Sequence, residues 1–127
     1  MKIGFDAKRL FLNHTGLGNY SRDVVKDLAS FYPKNDYHLF TPNSPKTPRT
    51  DFAFGKEFKI HLPTGLCGSL SKSYWRSFCL EQDLIKENID VFHGLSGEIP
   101  RRKEFDKLKY VVTIHDLIFE RFPEYYK

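Results

Sequence analysis

The chain has 127 residues, 40% of them hydrophobic and 28% charged, with a formal net charge of +4. That length supports one core and excludes two, and the 16% aromatic share excludes a disordered chain. No apolar run reaches the roughly 18 residues that span a bilayer. Met1-Lys2 leads straight into an apolar run with no signal-peptide core, so a cytoplasmic protein is expected. Basic residues alternate with acids except at Arg101-Arg102-Lys103, followed by Lys107 and Lys109. No aromatic-interleaved stripe accompanies that cluster, so it reads as a solvated loop and no nucleic-acid partner is expected. Anionic lipid or a phosphorylated substrate suits it better.

In chain order, residues 2–6 are the first of five short apolar runs without polar alternation, the pattern of strands covered on both faces. Gly16-Leu17-Gly18 precedes a helix expected from about Asn19. Tyr20, Val24, Leu28 and Phe31 share one face of that helix, and Pro33 stops it. A second strand is predicted at 37–41, then a loop over 41–50 carrying Pro42, Pro45 and Pro48. A third strand at 58–62 leads into a loop over 63–69. A second helix, about 71–88, sets Trp75, Phe78, Cys79, Leu84 and Ile85 on its apolar side. Strands four and five are predicted at 90–93 and 110–115. The aromatic segment 122–127 has no strand or capping helix after it, so either further chain or a docked terminal helix is expected there. Cys67 and Cys79 form no CxxC pair and have no clustered histidine, which predicts free thiols. Strands alternating with helices predict an α/β fold, a Rossmann-like open parallel sheet with helices on both faces.

Ligands of such a sheet bind at the carboxyl ends of the strands, where crossovers leave in opposite directions. Strand one is followed by Gly16-Leu17-Gly18, strand four by Gly94-Leu95-Ser96-Gly97, and strand five by Asp116, so all three share one rim. Two glycines before a helix let a ligand approach free N–H groups and the positive end of the helix dipole, a ready phosphate site. The dinucleotide fingerprint is absent, because Ser21 stands where the third glycine belongs and strand two finishes Phe40-Thr41-Pro42 without an acid. No Walker Gly-Lys-Ser or Gly-Lys-Thr occurs either. His115 is expected at the end of a central, buried strand, with Asp116 beside it to orient a loop or ring. His93 ends the neighbouring strand. The two imidazoles have no third ligand at helical or hairpin spacing, so no metal is expected on them.

The ordered set Ile3-Gly4-Phe5-Asp6-Ala7-Lys8, Thr15-Gly16-Leu17-Gly18-Asn19-Tyr20, Leu80-Glu81-Gln82, Ile89-Asp90-Val91-Phe92-His93, Val112-Thr113-Ile114-His115-Asp116-Leu117 and Pro123-Glu124-Tyr125-Tyr126 resembles the N-terminal half of a bacterial glycosyltransferase. The family is group 1, or family four, the retaining GT-B type that includes mannosyltransferases. The resemblance covers the whole chain. It implies that 1–127 is the N-terminal, Rossmann-like acceptor-side domain, and that the donor-binding C-terminal domain lies outside this sequence.

The resemblance further implies that Gly16, Leu17 and Gly18 approach the donor diphosphate. His115, with Asp116, would act at the transferred sugar, and Lys8, Tyr20, His93 and Ser96 would meet the acceptor. Amides there would stabilise charge on the leaving phosphate, and the histidine would position the sugar. The substrate is then a nucleotide sugar such as GDP-mannose or a UDP-sugar, with no further cofactor and no metal. The acceptor is a glycan or lipid-linked glycan of polysaccharide biosynthesis.

Lys8 stands where many relatives carry Arg, which removes a bidentate anion contact. The family's paired glutamates, eight apart in the donor domain, have no counterpart, and no Asp-x-Asp occurs. The chain alone is therefore expected to be inactive. The alternative reading is a stand-alone flavodoxin-like module that holds a phosphate or nucleotide without catalysis; another is an interaction protein docking a second chain by its exposed face. Residues 66–78, with Leu70, Tyr74, Trp75 and Phe78 among Lys72 and Arg76, also have the composition of a segment lying on the inner membrane face, although core packing is the expected use of Trp75 and Phe78.

Overall fold

The computed structural model describes residues 1–101 and 107–125, the side chains of Cys67, Ser69 and Leu70 excepted. Arg102 and Lys103 of the basic cluster, and Tyr126 of the C-terminal motif, lie outside the described residues. Five parallel strands, β1 (Lys2–Asp6), β2 (Asp36–Phe40), β3 (Phe58–His61), β4 (Val91–Gly94) and β5 (Lys109–Val112), form one sheet in the order β3-β2-β1-β4-β5. The chain steps outward from β1 to β3, then returns to the far side of β1. Crossovers therefore diverge between β1 and β4, and a crevice opens at their carboxyl ends. This follows the Rossmann strand order 3-2-1-4-5, an α/β open sheet as expected, and it differs from the flavodoxin order of the alternative reading.

Side chains alternate across each strand, and that alternation builds two cores. Phe5, Tyr37 and Leu39 pack with Leu10, Phe11 and Val25 from α1 (Lys8–Leu12) and α2 (Gly16–Phe31). On the other face Phe40 and Phe92 pack with Trp75, Leu80 and Leu84. Each such large side chain, fully buried, contributes about 1.5–3 kcal/mol.

Helix α2 begins at Gly16, so Gly16, Leu17 and Gly18 are its first turn rather than a loop before it. The cause is Asn13, whose Oδ1 accepts the N–H of Thr15 at 2.9 Å and of Gly18 at 3.0 Å, closing the helix start from outside. Glycine at 18 is required by that closeness, since a Cβ there would overlap the Asn13 carbonyl. Buried Arg22 ties the same junction, donating to the carbonyls of Leu10 and Asn13 at 2.8 and 2.9 Å. Tyr20, Val24 and Leu28 pack against the first core as expected, whereas Phe31 is 76% exposed.

The predicted 63–69 loop contains a short helix, α3 (Gly65–Leu70). The predicted second helix is interrupted: α4 (Lys72–Tyr74) runs into a π-helical turn (Trp75–Cys79) and then α5 (Leu80–Lys86). The wider turn resets the inward face, so Trp75, Cys79, Leu80 and Leu84 are buried while Phe78 stays exposed. Trp75 donates its Nε1–H to Asp83 at 2.6 Å. Core packing thus takes Trp75 from the surface-lying segment and leaves Leu66, Tyr74 and Phe78 exposed. Cys79 is disulfide-bonded, which overturns the free-thiol expectation for it.

Strand β5 is the outer strand of the described sheet, not a central one. It ends at Val112, and Val111 and Val112 are half exposed. Its inner tie is Tyr110, which donates to buried Glu81 of α5 at 2.8 Å. Burial, with the Glu81 carboxylate, pushes the Tyr110 phenol up from its ordinary value. Residues 118–125 form two short turns, α6 (Ile118–Arg121) and a 3-10 turn (Pro123–Tyr125). No helix among the described residues is long and apolar enough to cross a membrane.

Candidate functional site

At the carboxyl rim the α2 side carries a chain of neutral hydrogen bonds. Thr113 follows β5 and keeps its register through an N–H to the Gly94 carbonyl at 2.9 Å. Its Oγ1 lies 2.8 Å from His93 Nε2 and 3.1 Å from the Tyr20 hydroxyl, so one hydroxyl joins β4 to the second turn of α2. Burial pushes the His93 imidazole down from its ordinary value, which keeps it uncharged at neutral pH.

His115 stands three residues beyond β5 rather than at a strand end, and it is exposed. Its ring meets the Tyr20 ring edge-on, with centroids 4.8 Å apart at 90°. Nε2 lies 2.8 Å from the Leu95 carbonyl, which can only accept, so Nε2 carries the proton and Nδ1 is the nitrogen left for a ligand.

The structure therefore brings Tyr20, His93 and His115 together around Thr113, a residue the sequence reading did not single out. Gly16, Leu17 and Gly18 open the same helix as Tyr20. Of their amides Gly18 is spent on Asn13, while Gly16 and Leu17 have no partner among the described residues. A Cβ at Gly16 would meet open space. Arg49 adds positive charge nearby, donating to the His14 carbonyl at 3.2 Å. Asp116 accepts the Ile118 N–H at 3.2 Å, just before α6. Lys8 donates its backbone N–H to Asp6 at 3.2 Å. Ser96 is half-buried and makes no side-chain hydrogen bond among the described residues.

The α5 side of the rim is ionic, and the sequence reading missed it. Asp6 ends β1 and pairs with Arg76, which the π-helical turn aims at the crevice; Arg76 also reaches Glu98 at 2.7 Å. Burial alone would lower the Arg76 pKa, but Asp6 and then Glu98 outweigh it and raise it. Together with Phe92, Gly97 and Pro100 these groups line a cavity of about 330 Å³. An acid at the end of strand one and an arginine on an otherwise inward helical face were the available signals.

Fold and rim define the class: a Rossmann-like α/β domain with a polar crevice at the topological switch point. Comparison with family models, curated proteins and solved structures gives no match to this chain.

Proposed function

We propose that this chain is the N-terminal, acceptor-side domain of a retaining GT-B glycosyltransferase that uses a nucleotide sugar and builds a glycan or lipid-linked glycan at the cytoplasmic face of a membrane. The observation that carries the reading is the contact of His115 with Tyr20, on the helix whose opening Gly16 and Leu17 amides have no partner among the described residues. A sugar-phosphate bond needs those two elements near each other: amides and a helix dipole for the leaving diphosphate, and an imidazole at the sugar. Neutral His93, joined to Tyr20 through Thr113, offers an acceptor hydroxyl a hydrogen-bonding wall. The ordered motifs suggest the family, and the Rossmann-like strand order is of the kind it would require.

On this reading the donor-binding half lies outside these residues, and the domain alone should not turn over. The test is incubation of the chain with labelled GDP-mannose and UDP-sugars, together with NMR titration of candidate glycan acceptors. The reading requires no transfer by the chain alone and acceptor-induced shifts at Tyr20, His93 and His115. Robust turnover by the chain alone would contradict the divided site. Submicromolar nucleotide binding would instead favour a self-contained phosphate-binding module.

A further inference from the structure

Another histidine group lies away from the rim, on the α5 face of β2 and β3. Parallel register pairs His38 with Lys59 and Phe40 with His61, so both imidazoles leave the sheet on the same side. His38 Nδ1 and His61 Nε2 face each other at 2.8 Å, with the rings 7° from parallel, and Phe40 stacks on His61 at 4.5 Å. Glu87, just past α5, holds Oε1 4.0 Å from His61 Nδ1. One donor atom from each of the three lies within 4.8 Å of the other two.

His38 is fully buried and its Nε2 has no partner. A buried imidazole whose polar satisfaction rests on one bond to another imidazole is short of what such a group ordinarily finds. One of the two facing nitrogens carries the proton of their shared hydrogen bond, and a cation that displaces it would take both nitrogens as ligands, with His38 Nε2 left as the ring's N–H. Two imidazoles and a carboxylate match the three-ligand sets that hold zinc with a fourth position open. Ligands 2.0–2.1 Å from a tetrahedral ion stand roughly 3.3 Å apart, so a small outward turn of His61 makes room. His61 and Glu87 line a cavity of about 230 Å³ that gives an ion access. Asp83 and Lys86 line it too; Lys59 and Lys2, the latter donating to the Glu87 carbonyl at 3.0 Å, oppose a cation, and Asp83 and Glu87 favour one.

We infer that His38, His61 and Glu87 form a binding site for one divalent transition-metal ion of the zinc class, held by His38 Nδ1, His61 Nε2 and a Glu87 carboxylate oxygen. Nitrogen donors select such ions over magnesium or calcium. The site is independent of the rim and of the transferase reading.

Chelator-stripped protein is titrated with Zn²⁺ against a chromophoric chelator, and with Co²⁺ by visible absorption. One ion per chain is expected. His61→Gln and Glu87→Gln should each weaken binding by at least about tenfold, the lower end even for an outer-shell partner. His14→Gln, at an exposed histidine remote in sequence, should not. Because His38 is fully buried and its substitution endangers the fold, its part is read from ring nitrogen resonances, which should move with Zn²⁺ and not with Mg²⁺. Failure to bind one equivalent overturns the inference. So does binding that survives both substitutions, or shifts confined to His93 and His115.

Discussion

The two sides of the rim hold polar groups by different means. On the α2 side Tyr20, Thr113 and His93 share neutral hydrogen bonds, with exposed His115 resting on a main-chain carbonyl. On the α5 side Asp6 and Arg76 form a pair whose side chains are 5% and 11% exposed. A desolvated ion pair has little freedom to exchange partners, because breaking it strands a charge. A neutral, half-open network can trade a hydrogen bond for a ligand's with small loss. The contrast makes the α5 side the more firmly anchored of the two.

The largest effect should come from the ionic side. Arg76→Ala leaves Asp6 buried and unpaired and should cost about 3–5 kcal/mol in urea denaturation. Glu98→Ala, whose carboxylate is more than half exposed, should cost less than about 1 kcal/mol. Equal losses would refute the anchoring role of the buried pair. Next in size is Gly18→Ala, which forces α2 away from the Asn13 carbonyl and should destabilise by about 1–3 kcal/mol. Gly16→Ala enters open space and should be neutral or stabilise by up to about 1 kcal/mol, as expected for a helical glycine.

Smaller still is Tyr20→Phe, which removes one hydroxyl from Thr113 and should cost about 0.5–1.5 kcal/mol while leaving the fold intact by circular dichroism. The smallest effect is on pH dependence. Burial lowers the His93 pKa, so below about pH 6.5 the unfolded chain takes up a proton that the native state refuses. That part of the stability is present above the unfolded value and is lost as the pH falls through the folded one. His93→Gln should flatten the acid side of a stability–pH curve, and an unchanged slope would mean that His93 is not the group responsible.

Much of the fold was legible because strands announce themselves locally. All five apolar runs became strands, displaced by only a few residues at their ends. Their neighbours were not legible: the run at 110–115 looks buried, yet β5 is the outer strand and its last three predicted residues leave the sheet. Gly16 and Gly18 pointed to the start of α2, but nothing local revealed that Asn13 would reach back and make the glycines its first turn. His93 and His115 were expected on one rim because the switch-point rule gathers strand ends there, whereas Tyr20 came only from the resemblance. Asp6 with Arg76, and His38 with His61, were missed because each pair is made by parallel register or a crossover, which no spacing along the chain encodes.

The most direct measurement is an amide and imidazole NMR titration of the chain with inorganic pyrophosphate, followed by GDP-mannose. One ligand-facing rim requires Gly16, Leu17 and the His115 ring to shift together along a single saturation curve. Shifts scattered over lysines and arginines, with those three unmoved, would contradict it.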